Sequence, residues 1–172
     1  MESKAKALGH PIHPMLIVFP LGLLVTAVIF DVVRLVTGNN EFAIVSYWAI
    51  AAGVIGGLLA AIFGLMDWLA IPSGTRAKQV GLLHGAGNVV VVLLFAVSWL
   101  LRSGSPGYVP DTLAFVLSLV GVLIGAVTAW LGGELVDRLG VGVDPGANLN
   151  APSSLSGQPA TAVAQQQQPL QQ

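Results

Sequence analysis

Gly9-His10-Pro11-Ile12-His13-Pro14-Met15-Leu16-Ile17-Val18-Phe19-Pro20-Leu21-Gly22-Leu23 decides the architecture of this chain. Two His-Pro pairs lead straight into an apolar run that continues from Met15 to about Thr37. A bilayer span needs about 20 apolar residues, and this run supplies them. Lys4 and Lys6 precede it, as basic residues precede the apolar core of a signal peptide. The run is too long for such a core and has no small-residue cleavage site, so it reads as a retained first membrane helix. Pro14 suits a first helical turn, where its missing N–H costs nothing. Pro20 lies one turn further in and predicts a kink.

Composition agrees. Of the 172 residues, 55% are hydrophobic and 9% charged, against about 25% charged in an ordinary soluble domain. A surface so poor in charge is covered by lipid. The formal net charge of −1 argues against nucleic-acid binding, which needs a basic face. With no cysteine, disulfides, thiolate nucleophiles and cysteine-ligated zinc or iron–sulfur centres are excluded. The strong metal or haem ligands left are His10, His13 and His84.

Three further spans follow. Gly38-Asn39-Asn40 is a turn, and the second span runs from about Phe42 to Leu69. It carries Gly53, Gly57, Ala61 and Gly64, a spacing that lets helix backbones approach. Tyr47, Trp48 and Trp68 suit aromatic belts at the two interfaces. Asp31 and Arg34 suggest an ion pair along one helix face. The third span runs from about Val80 to Leu101, and the fourth from a cap at Asp111 or Thr112 to about Gly133. The fold class expected is an all-α, integral-membrane four-helix bundle over residues 1–140. Residues 141–172 are Gly, Pro, Ala, Ser and Gln-rich, a composition that predicts a disordered tail.

Four spans put both ends of the chain on one side. That side holds Lys4, Lys6, Arg76, Lys78 and Arg138, against Arg34 and Arg102 opposite. The positive-inside rule then places the termini in the cytoplasm. An internal repeat is also suggested. Gly53-Val54, Gly57, Ala61 and Gly64 align with Gly121-Val122, Gly125, Ala129 and Gly132, while His13 and His84 open the first and third spans. The chain reads as two helical hairpins, each beginning near a histidine and ending near an acid, Asp67 or Glu134.

His10, His13, Asp67, His84, Asn88 and Glu134 all fall at the cytoplasmic hairpin ends. Polar groups bordering a bilayer are costly and tend to mark function. Each of His10 and His13 precedes a proline, which favours extended or polyproline backbone and one shared face. Three chemistries fit. A transition metal would take His10, His13 and His84, with Asp67 or Glu134 as further ligand or hydrogen-bond acceptor. A haem b would take His84 with His13 or His10 as axial ligands, Gly85 and Gly87 leaving room for the porphyrin edge. A proton or ion path would need a homo-oligomer, since four spans are few. The plain alternative is that these groups only anchor helix ends. No nucleophile elbow, phosphate loop or HExxH motif is present, so catalysis by the chain alone is not expected.

The opening Gly9-His10-Pro11-Ile12-His13-Pro14-Met15-Leu16, with Phe19-Pro20-Leu21-Gly22, Gly64-Leu65-Met66-Asp67-Trp68-Leu69, Pro72, His84 with Asn88, and Gly132-Gly133, resembles a bacterial four-helix membrane family. It is known as domain of unknown function 2231. The resemblance spans about residues 8 to 144. It implies a four-span protein without an established activity. Some relatives are joined to Rieske-type iron–sulfur domains, which implies a redox protein partner by association. Many members carry a histidine just before the Phe-Pro pair, where this chain has Val18.

Overall fold

A helix in a bilayer satisfies its own backbone, so an apolar chain of this kind has little choice but helices. The computed structural model describes residues 1–162. A short antiparallel pair, β1 (Lys6–Ala7) and β2 (His10–Pro11), precedes α1 (Ile12–Leu16). Then come α2 (Val18–Thr37), α3 (Glu41–Ala70), α4 (Arg76–Ser103) and α5 (Thr112–Gly133). Four stretches are long and apolar enough to cross a membrane: Ile12–Thr37, Glu41–Ala70, Arg76–Ser103 and Pro106–Arg138. The all-α, four-span expectation therefore holds.

Local sequence explains the boundaries. The break between α1 and α2 falls at Ile17, three residues before Pro20. Pro20 has no N–H for the Leu16 carbonyl, so the helix yields there rather than at Pro20 itself. Gly38 closes α2 in the left-handed region (φ 71°), its N–H returning to the Arg34 carbonyl at 2.8 Å. Thr75 caps α4, its side chain accepting from the Lys78 N–H at 3.1 Å. Asp111 caps α5 through Ala114 N–H at 2.7 Å. The fourth span then widens into a π-helical turn, Glu134–Arg138.

Helix α2 packs along α3 and α4 along α5, and the contacts α3–α4 and α2–α5 close the ring. Helices α2 and α4 thus face each other across a diagonal. Leu24, Ala27, Val28, Ile50, Val91 and Phe95 fill the centre.

The repeat is present in the packing. At one constant offset, Leu24, Ala27 and Asp31 of α2 correspond to Phe95, Ser98 and Arg102 of α4, and all six are buried. At a second constant offset, buried Ser46, Ile50, Gly53 and Ala60 of α3 correspond to buried Ala114, Ser118, Gly121 and Thr128 of α5. Gly53 is the seat for Leu24, and Gly121 is the seat for Phe95. The halves are therefore related by a pseudo-two-fold axis. Both begin on the same side, so the axis runs along the bundle, as in transporters built from parallel repeats.

The N-terminal segment closes over one end. The Met1 ammonium donates to Gly140 O at 2.8 Å, and Gly142 N–H donates to Met1 O at 2.8 Å. Residues 141–162 run as turns beside it, with Ser154 Oγ donating to Leu8 O at 3.1 Å. Residues 163–172, the rest of the stretch expected to be disordered, lie outside the described residues.

Candidate functional site

His13 and His84 stand at equivalent places in the two halves and meet across the diagonal. Their ring centroids are 6.3 Å apart with the planes at 87°. Each ring is fixed in the same way. His13 Nδ1 lies 2.9 Å from Ala60 O, and His84 Nδ1 lies 2.8 Å from Thr128 O. A carbonyl accepts only, so Nδ1 carries the proton in both and Nε2 keeps its lone pair in the neutral ring.

Glycine makes these contacts reachable. In a helix the side chain one turn on covers the carbonyl behind it. One turn after Ala60 stands Gly64, and one turn after Thr128 stands Gly132. A Cβ on Gly64 would lie 2.9 Å from His13 Cε1, and one on Gly132 would lie 3.2 Å from His84 Cε1. Asn88 completes the second half. Its Nδ2 donates to His84 O at 2.9 Å and lies 3.3 Å from His84 Nε2, while its Oδ1 accepts from Thr128 Oγ1 at 3.0 Å. The first half has Ile17 at the place of Asn88, and His13 Nε2 has no such neighbour there.

The other expected site residues are held elsewhere. His10 is exposed in β2, its Nε2 3.3 Å from Ser154 Oγ. His13 lies in α1 rather than in polyproline backbone. The first helical turn tolerates the proline that follows it, so the two histidines do not share a face. Asp67 accepts from Ser3 Oγ at 2.7 and 2.9 Å and from Lys4 N–H at 2.8 Å. Glu134 pairs with Arg76 at 2.6 Å. Among the described residues, no group of three or more histidine, cysteine, aspartate or glutamate side chains comes together as metal ligands. Nor is the expected porphyrin space found. Gly87 is filled by the Thr128 methyl, 2.5 Å from where its Cβ would be, and Gly85 opens outward. Two surface clefts, of about 400 and 210 Å³, are lined by neither His13 nor His84.

At the opposite end lies a polar cluster that the sequence reading missed. Arg102 and Asp31 are fully buried. Arg102 donates through Nη1 and Nη2 to the two Asp31 oxygens at 2.8 and 2.6 Å. It also donates to Ser98 at 3.2 Å, Ser46 at 2.9 Å and Ser118 at 3.1 Å. The expected Asp31–Arg34 pair does not form, because both Asp31 oxygens are taken by Arg102. Ser98 and Arg102, one turn apart at places equivalent to Ala27 and Asp31, were the available signal. Beside them Tyr47 stacks on Tyr108 at 3.9 Å and on Trp99 at 5.3 Å. Tyr47 is thus a packing residue, not part of an interfacial belt.

Four apolar spans, a lipid-facing exterior and charges retained only at the ends or in a neutralised core define a multi-pass α-helical membrane protein. A family model described as "Predicted membrane protein (DUF2231)" matches residues 9–145. The chain belongs to that family. No curated protein and no solved structure matches it.

Proposed function

We propose that this chain is a metal-binding subunit of the bacterial cytoplasmic membrane, with both termini cytoplasmic. One transition-metal ion would be held between the hairpins by His13 and His84. The observation that carries this reading is the pair's geometry. Two metal–nitrogen bonds of about 2 Å would set the imidazole centroids roughly 5 Å apart at a tetrahedral angle and roughly 6 Å apart on opposite sides of the ion, so the 6.3 Å found suits a trans pair. Both Nδ1 atoms are turned to backbone carbonyls, as ligating histidines usually are. Two imidazoles would be this chain's whole contribution, so water or a small anion would complete the coordination. A haem iron fits less well, because the Thr128 methyl fills the space at Gly87 on the inner side of His84. The basic end groups Lys4, Lys6, Arg76, Lys78 and Arg138 support the orientation.

The test is metal content and an optical spectrum, oxidised and dithionite-reduced, on protein in mild detergent. One bound equivalent that is lost in both His13→Ala and His84→Ala supports the reading. A Soret band would replace it with haem.

A second reading is favoured by Asn88, whose amide stands at His84 Nε2. There the histidines are cofactor-free anchors of an accessory subunit. Protein that takes up no iron, copper or zinc on loading, and variants that lose only thermal stability, would establish that reading and end the first.

A further inference from the structure

Asp31 and Arg102 occupy equivalent positions of the two halves, and they meet across the pseudo-two-fold axis. Residues equivalent under a two-fold and close to its axis face one another. The other equivalent buried places are uncharged in both halves: Gly53 and Gly121, Leu24 and Phe95, Ala27 and Ser98, Ser46 and Ala114, Ile50 and Ser118, Ala60 and Thr128. At this one place the halves carry opposite charge. Both side chains are fully buried and joined by two hydrogen bonds.

We infer that Asp31 and Arg102 form a pairing code, which makes the second hairpin, rather than another copy of the first, the partner of the first hairpin's inner face. The physical case is one of competition. Among the equivalent buried places of the two inner faces, Asp31 and Arg102 are the one charged pair, so the charges are what penalises like on like. A first hairpin on a second copy of itself would bury Asp31 against Asp31. Two second hairpins would bury Arg102 against Arg102. An uncompensated charge within a bilayer is costly, so either arrangement is rejected and only the unlike pair is neutral. Discrimination by penalising the wrong partner is the usual route to specificity between similar surfaces. The surrounding serines agree with this role. Ser46 comes from α3, Ser98 from α4 and Ser118 from α5, so with Asp31 of α2 the cluster ties all four spans.

The test uses the full chain in detergent. Asp31→Arg and Arg102→Asp, each alone, should abolish monodisperse folded protein. Together they restore the unlike pair in reverse and should recover monodisperse folded protein with a cooperative thermal transition. A reversed pair no better than the single variants overturns the code, because the cluster would then be an anchor specific to Arg102. The second measurement removes both charges, as Asp31→Leu with Arg102→Leu. This variant should insert but lose discrimination, and exchange hairpins between chains, giving by light scattering a larger mass than the parent has in the same detergent. A neutral variant that keeps the parent's mass overturns the proposal as well.

Discussion

Arg102 holds Asp31 through two hydrogen bonds of 2.8 and 2.6 Å while neither side chain is exposed. All the guanidinium donors are used, the remainder on Ser46, Ser98 and Ser118. Replacing only one member leaves the other as a buried, unpaired charge. Arg102→Met should therefore cost about 3–5 kcal/mol. Asp31→Asn should cost less, since an amide still accepts one hydrogen bond from the guanidinium. The order of their thermal midpoints in one detergent checks this.

The glycine seats predict a graded response. A methyl on Gly64 meets two His13 ring atoms at 2.9 and 3.0 Å, whereas one on Gly132 meets His84 no closer than 3.2 Å. The imidazoles are anchored to Ala60 O and Thr128 O and cannot swing away without breaking those bonds. Gly64→Ala should cost about 1–3 kcal/mol, in the range for overpacked cores, and Gly132→Ala less. If His13 ligates a metal, Gly64→Ala should also weaken metal retention, while Gly22→Ala, which meets nothing within 4 Å, should change neither.

How much of this was legible depends on whether the signal is local. The spans, the Asp111 cap and the Gly38 stop follow from hydropathy and turn chemistry within a few residues, and they stand where the sequence places them. The glycine repeat was legible too, because Gly53 and Gly121 differ from the residues around them. What was not legible is which side chain reaches across the diagonal. Asp31 had a basic neighbour one turn away in Arg34, and nothing local says that Arg102, distant in sequence, takes both its oxygens. The same limit applies to the histidines. Convergence of polar residues on one side of the membrane did not distinguish the inner pair, His13 and His84, from His10, Asp67 and Glu134, which bind the terminal segments and loops.

Asp67 illustrates that second role and gives a prediction of its own. Its carboxylate gathers Ser3 Oγ and the Lys4 N–H, both from the segment that lies over the bundle end. It makes no contact with the other helices through these bonds. Asp67→Asn should loosen the first residues without unfolding the spans. Limited proteolysis should then cut before Gly9 several-fold faster, with the thermal midpoint of the helices nearly unchanged. A large fall in that midpoint would instead make Asp67 part of the bundle's own stability.

Lys6 sets how this terminal layer depends on pH. Its ammonium lies 2.5 Å from Asp144 and 2.9 Å from Glu2. The hydrogen bond to Asp144, then that to Glu2, raises its pKa above the ordinary lysine value. A group whose value is raised on folding contributes fully below its unfolded value, and that contribution is lost as pH rises through the folded one. The link between residues 6 and 144 should therefore persist through neutral and mildly alkaline solution. It should weaken only above the ordinary lysine range. Lys6→Met removes the charge at every pH, so hydrogen exchange at the Gly142 amide, which bonds Met1 O, should be faster in the variant at neutral pH and should converge with the parent, after correction for intrinsic exchange, at strongly alkaline pH. Equal protection in the two proteins at neutral pH would mean that Met1 and Gly140 hold this layer without Lys6.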